Sequence, residues 1–230
     1  SRFTITGVIV FDSDSAAAAI TQHDLAEKTF ELPEHNTAFH ASKRLFDIGF
    51  SLALLPFVVL TVLCLLVLNP LLNRGPLFYV QPRMGRNCRA FPALKFRTMQ
   101  PASKITRSAD DPLEIDRITT LGYFLRKTRL DELPQVINVL RGDMSLIGPR
   151  PDYFHHARHY LRVIPGYRAR HAVRPGISGL AQTQLGYAAG VDATSAKVRA
   201  DLYYIQNAGF KLEAWLFWRT LVVVFRRYGA

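Results

Sequence analysis

The longest unbroken pattern in the chain is apolar. From Ile48 to Leu68 run 21 residues without a charge, IGFSLALLPFVVLTVLCLLVL. As a helix this covers about 30 Å, roughly one hydrocarbon core. Two features oppose a plain span. Pro56 sits near the middle, where a proline removes a backbone hydrogen bond and bends the helix. Both flanks are basic, with Lys43 and Arg44 before and Arg74, Arg83, Arg86 and Arg89 after. Basic residues stay on the cytoplasmic side, and here both ends qualify. A re-entrant helix-break-helix, entering and leaving by one face, satisfies both facts. It is preferred to a kinked span or a buried soluble helix.

Beyond Pro70 and the Gly75-Pro76 turn the pattern shortens. LFYVQ and RAFPALKFRTM read as strands joined by a turn through residues 84–87. Residues 118–128 have helical spacing at Leu121, Phe124 and Leu125. A second helix is expected from about Glu132 to Leu140, with Asp131 as N-cap, Pro134 in its first turn and Gly142 past its end. Its apolar face is Leu133, Val136, Ile137 and Leu140. Ala214 to Phe225 is apolar apart from Arg219 and Thr220, too short to span, with Trp215 and Trp218 suited to a membrane surface. The first 41 residues read as a loosely ordered arm, or as sequence added artificially. They hold a β-branched run from Phe3 to Phe11 and nothing resembling a signal peptide.

Composition sharpens this picture. The 230 residues are 49% hydrophobic, enough for one domain with an appendage, and wholesale disorder is excluded. No repeat, no Gly-x-Gly-x-x-Gly and no phosphate-loop lysine motif is present. Cys64 and Cys88 cannot make a disulfide framework, which points to a reducing compartment. The net charge is +11, but residues 1–40 carry two basic against six acidic residues, leaving +15 on the remainder. A basic body of this kind meets phosphates or is merely soluble. Residues 158–174 hold five arginines and no acid, with Tyr160 and Tyr167 between them. That suits a membrane interface or polyanion, or a solvated face.

Among the few acids of the body, Asp131 and Glu132 stand adjacent at a helix start, just after Arg126, Lys127 and Arg129. A carboxylate there is ordinarily a cap. Neighbouring helical residues also point about 100° apart, so the two can divide roles. His155 and His159 have the i, i+4 spacing of metal ligands, without a matching ligand motif elsewhere. Cys64, inside the apolar run, reads as packing.

The ordered blocks KRLFDI, LKFRTM, LRKTRLDELPQVINVLRGDMSLIGPRP, RPGISGLAQ and DLYYIQN resemble the bacterial sugar transferase family, the monotopic phosphoglycosyl transferases. The likeness runs from about Ser42 to the C-terminus. It implies transfer of a sugar-1-phosphate from a nucleotide sugar, a UDP-hexose leaning to glucose or galactose, to polyprenol (undecaprenyl) phosphate. Nucleoside monophosphate is released, in exopolysaccharide or glycoconjugate assembly. By that resemblance Asp131 is the nucleophile that forms an aspartyl phosphosugar, and Glu132 is associated with Mg²⁺. Lys95 and Arg97 would neutralise charge on the diphosphate, and Asp201 matches a position important for activity. Arg150 and Arg174 would orient phosphates, or snorkel at the interface. Asp201 would act in the site, or pair structurally with an arginine. Gln182 is a further substrate-binding candidate. The chain departs from the family just beyond it: TQLGYAAGVDAT stands where relatives carry a short arginine-containing element.

The expected fold is therefore α/β with helix predominating and membrane-associated. An arm over residues 1–41 leads to a re-entrant hairpin over 42–74. A catalytic domain with amphipathic interfacial helices and a small β element occupies 75–230. Expected partners are the nucleotide sugar, polyprenol phosphate, inner-membrane lipids and a possible second copy, with no nucleic acid. The expected place is the cytoplasmic face of a bacterial inner membrane. The rival reading is a non-enzymatic, membrane-bound polyanion binder using residues 158–174.

Overall fold

The computed structural model describes residues 37–101, 114–185 and 191–225. The arm lies outside these residues except for its last five, which are already helical. Helix α1 runs from Thr37 to Leu72, about 54 Å long at ~1.5 Å per residue. The break expected at Pro56 does not interrupt it: both Pro56 and Pro70 lie inside one continuous helix. The sequence holds no glycine and no charge between Ser51 and Leu68, so nothing but the proline opposes continuation.

A narrow stripe of α1 is buried. Asp47, Ser51, Val58, Leu65 and Asn69 recur at steps of four and seven along one face. The other faces leave Leu52, Phe57, Leu60, Leu63, Leu66 and Val67 more than half exposed. So much contiguous apolar surface suits lipid rather than water. The helix is long and apolar enough to cross a membrane, and 17% of its most apolar stretch is buried against protein.

The expected hairpin forms. Strands β1 (Phe78–Met84) and β2 (Ala90–Phe96) pair antiparallel, with Tyr79 opposite Lys95 and Pro82 opposite Pro92. Prolines are tolerated because each strand has a free edge. Helix α2 (Thr120–Lys127) begins at Thr119, whose side chain accepts a hydrogen bond from the Gly122 amide at 3.0 Å. Helix α3 (Gln135–Arg141) ends at Gly142, φ 91°, a left-handed cap suited to glycine. Strand β3 (Ser145–Ile147) lies parallel to β4 (Gly176–Ser178). That pairing binds the GDMSLIGPRP and RPGISG blocks together. Helices α4 (Phe154–Val163), α5 (Leu180–Leu185), α6 (Val191–Asn207) and α7 (Phe210–Phe225) complete the body.

The main core gathers Met84, Val139, Ile147, Val198, Ile205 and Leu216 from the hairpin, α3, β3, α6 and α7, with Met144 and Tyr167 from the connections between elements. A second cluster joins Leu65 of α1 to Phe96, Leu121 and Leu125, with Leu130 packed against it. Helix α1 is therefore part of the body at both ends. Near its start Lys43 pairs with Glu213 at 2.6 Å, Arg44 donates to the Val139 carbonyl at 2.8 Å, and Asp47 accepts from the Leu146 amide at 3.1 Å. Near its end Asn73 donates to the Arg97 carbonyl at 2.9 Å.

Candidate active site

Asp131 is not a helix cap. Residues Leu130–Glu132 form a single 3₁₀ turn, entered through Arg129 at φ 59°, and α3 begins only after Pro134. Both carboxylates therefore sit in the link between α2 and α3, 8% and 7% exposed. Leu130, packed on the second cluster, anchors the turn against the α1 side of the body.

The two carboxylates differ in their partners. Glu132 is clamped: Oε1 accepts from Lys95 Nζ at 2.6 Å and from Arg150 Nη2, and Oε2 accepts from Arg150 Nη1 at 3.0 Å. Burial would raise its carboxyl, but Arg150 and Lys95 outweigh that and hold it well below the usual range. Among the described residues no hydrogen bond ends on the Asp131 carboxylate. Burial and the Glu132 charge push its carboxyl up, against the pull of Lys95, Arg126 and Arg150. Burial lowers the Lys95 ammonium despite Glu132 beside it. The result is one fixed carboxylate organising two cations and one unencumbered carboxylate next to them.

Asn138, which the sequence reading passed over, locks this arrangement. Wholly buried in α3, it accepts from the Leu94 amide at 3.0 Å and donates to the Pro92 carbonyl at 2.8 Å. It thereby ties the strand that carries Lys95 to the helix that follows Glu132. Its signal was visible: a polar residue inside LPQVINVL, where an apolar one would be expected. Gln182 lies beside the clamp, because its Nε2 and Arg150 Nη1 both donate to the Ile177 carbonyl, at 3.3 and 3.4 Å.

Three other candidates are placed elsewhere. Arg97 spends all five donors on structure. Nε meets the Pro76 carbonyl, Nη1 meets Asn73 Oδ1 and the Met99 carbonyl, and Nη2 meets Asn69 Oδ1 and the Asn73 carbonyl. It latches the end of α1 and has no donor left for a diphosphate. Arg174 donates to the Gly142 carbonyl at 2.9 Å, at the opposite end of α3 from Asp131, where it complements the helix terminus. Asp201 is 1% exposed and pairs with Arg170 at 2.7 Å, the arginine partnership that was one of its two expected readings. Burial raises its carboxyl to about 6 despite Arg170.

Arg170 was expected on a basic surface and is buried instead, 3% exposed. It joins Asp201, Asp152 at 2.6 Å and the Arg150 carbonyl at 2.8 Å, while Tyr167 donates to Asp152 at 2.7 Å. Residues 158–174 are thus no uniform basic face: Tyr160 and Tyr167 are buried with Arg170. Among the described residues no group of three His, Cys, Asp or Glu side chains could hold a metal, and His155 and His159 find no further ligand.

Mg²⁺ is bound by one or two carboxylates together with substrate phosphates and water. A carboxylate oxygen offers about two acceptor sites. Glu132 Oε2, with one bond from Arg150, retains one, and Asp131 retains its own. The pair therefore fits an ion that shares its coordination with a phosphate substrate.

A buried carboxylate pair ringed by cations, beside a lipid-facing helix, suits the handling of phosphate esters at a membrane surface. The chain belongs to the bacterial sugar transferase family, whose profile matches residues 38–227. It is 40% identical over 193 residues to the UDP-N-acetylgalactosamine-undecaprenyl-phosphate N-acetylgalactosaminephosphotransferase of Aeromonas hydrophila, covering 82% of this chain and 44% of that protein. It is 39% identical to the UDP-glucose:undecaprenyl-phosphate glucose-1-phosphate transferase of Caulobacter vibrioides, covering 74% and 61%. It is 37% identical to the exopolysaccharide production protein PSS of Rhizobium leguminosarum, covering 78% and 93%. The chain thus spans about half the length of the first two relatives and nearly all of the third.

Proposed function

We propose that this chain transfers a sugar-1-phosphate from a UDP-sugar to undecaprenyl phosphate at a membrane surface, through a covalent intermediate on Asp131. The names of the Aeromonas and Caulobacter relatives support the reaction class. The single observation that carries the residue assignment is the contrast between Asp131 and Glu132. One carboxylate is held by two cations, and its neighbour is left without a hydrogen bond among the described residues. The sugar is a hexose, with glucose or galactose favoured.

In the first half-reaction an Asp131 oxygen attacks the sugar-bearing phosphorus. The bond to the bridging oxygen breaks, and the nucleoside monophosphate leaves with that oxygen. In the second, an oxygen of the lipid phosphate attacks the same phosphorus and releases the Asp131 carboxylate. Lys95 and Arg150, pre-oriented by Glu132, offset the charge that develops on the phosphoryl oxygens. Gln182, beside Arg150, is a substrate contact. Asp201 acts through Arg170, which holds the Arg150 backbone. Mg²⁺, held by Glu132 and Asp131 when bound, would neutralise diphosphate charge.

The membrane course proposed is re-entrant, on the cytoplasmic face. What supports it is that both ends of α1 bond to one body, through Lys43, Arg44 and Asp47 at one end and Asn73 at the other.

The test is label exchange without lipid. Enzyme, UDP-sugar and Mg²⁺ should pass radiolabel between nucleoside monophosphate and UDP-sugar, and Asp131→Asn should abolish this. Glu132→Gln should slow it by loosening Lys95 and Arg150. No exchange in wild-type enzyme that transfers sugar to lipid would remove Asp131 from the role of nucleophile.

A further inference from the structure

Arg126 is the cation beside Asp131 that Glu132 does not hold. Its Nε donates to Thr98 Oγ1 at 2.9 Å. Among the described residues neither of its terminal nitrogens has an acceptor. The contrast with its neighbours is sharp: Arg97 has every donor committed, and Arg150 is forked onto Glu132. Arg126 is a half-buried guanidinium anchored at its neck with its outer fork unspent. A planar fork of this kind suits the oxygens of a phosphate. Its charge also acts on the Asp131 carboxyl, lowering it.

The chain places Arg126 deliberately. Gly122, one helical turn earlier on α2, packs against the Thr98 backbone so closely that a Cβ there would lie 1.9 Å from the Thr98 carbonyl oxygen. The Thr119 amide donates to that same carbonyl at 3.2 Å. Residues i and i+4 share a helix face, so this contact at Gly122 brings Arg126 onto Thr98 Oγ1. Helix α2 also borders the membrane helix. Leu121 and Leu125 pack with Leu65 of α1 on one side, and Tyr123 and Phe124 are 59% and 54% exposed on the other. Arg126 is therefore carried by the helix that packs on α1, the side of the site nearest the apolar helix. The cations clamped by Glu132, Lys95 and Arg150, come instead from β2 and from the stretch after β3.

We propose that Arg126 binds the phosphate head of the polyprenol acceptor and delivers it to Asp131, with Thr98 and Gly122 as its positioning residues. This rests on the transferase reading above and deepens it by dividing the site into a membrane side for the acceptor and a Glu132-organised side for the donor.

The test separates the two phosphate sources kinetically, in the full-length enzyme with undecaprenyl phosphate and a UDP-sugar that the wild type turns over. Arg126→Gln should raise KM for undecaprenyl phosphate about tenfold to a hundredfold, the scale of a lost charge-assisted hydrogen bond. KM for the UDP-sugar should change far less than KM for the lipid, and label exchange in the absence of lipid should persist, with its acid limb moved to higher pH because Arg126 no longer lowers the Asp131 carboxyl. Arg126→Lys keeps the charge but loses the fork and the hold on Thr98, so it should recover only part of the lipid KM. Thr98→Val should raise the lipid KM in the same direction by less, and it decides the matter if Arg126→Gln fails to fold. A rise in the UDP-sugar KM with an unchanged lipid KM would assign Arg126 to the donor and overturn the proposal. Equal changes in both constants, or none in either, would also overturn it. If wild-type enzyme shows no exchange without lipid, the covalent reading fails, yet the split between the two KM values still decides the role of Arg126.

Discussion

At the scale of single residues, the site turns on the different surroundings of two adjacent carboxylates. Glu132 is held ionised by its cations, whereas burial and the charge of Glu132 raise Asp131 above its ordinary value. On the proposed mechanism Asp131 attacks only when ionised. Activity should therefore fall as pH falls through a value above the usual ~3.9 for an aspartate. The measurement is kcat/KM against pH, with lipid saturating. An acid limb at or below the ordinary aspartate range would separate the rate from the Asp131 carboxyl. The carboxylate pair itself was legible, since two acids amid arginines stand out in a basic chain. Their division of labour was foreseen only as a possibility, because it depends on Lys95 and Arg150, which are remote in sequence. Arg97 misled for a complementary reason. Its place beside Lys95 in LKFRTM implies a shared role, but the backbone leaves β2 at Phe96 and turns Arg97 onto the end of α1.

At the scale of elements, the hairpin and the two short helices followed from turn residues and periodicity, and they form close to the expected bounds. The start of α3 did not. A cap signal at Asp131 and a 3₁₀ turn followed by Pro134 look alike in one dimension, and the proline moves the helix start past both carboxylates. Long-range polar ties were also invisible to periodicity. Asn138 joins β2 to α3 through bonds at 3.0 and 2.8 Å. Asn138→Ala should leave the Leu94 amide and the Pro92 carbonyl, both in part-buried bonds, without that partner and cost about 1–2 kcal/mol. Thermal unfolding in detergent measures this. Activity should fall further than the stability loss accounts for, because Lys95 is no longer held opposite Glu132. A variant as stable as wild type would show that the tie is dispensable.

At the scale of the whole molecule, the sequence declared a membrane-associated, helix-predominant α/β protein, and the structure has that composition. The helix through Pro56 was the part least readable, since a proline in a helix dictates a missing bond but not a stop. Labelling tests the course. Single cysteines at Ala41 and at Arg74, both exposed, in a background lacking Cys64 and Cys88, should resist a membrane-impermeant thiol reagent added outside intact cells. Labelling at position 74 alone would establish a spanning helix. Asn73 itself is unsuitable for this purpose, because it is buried on Arg97.

The latch at Arg97 joins two environments that are usually independent. Arg97 grips the last turn of α1, and Lys95, two residues back along the chain, grips Glu132. Between the apolar helix and the Asp131–Glu132 pair there is thus one short segment of backbone and no loop to absorb movement. A hydrophobic helix in a bilayer thicker or thinner than it prefers responds by tilting or kinking. Tilt of α1 would be transmitted through Arg97 as strain on the Lys95–Glu132 bond. On the proposed mechanism, the rate of transfer should therefore vary with acyl-chain length in the surrounding membrane, through a lysine two residues along the chain from the arginine that grips α1.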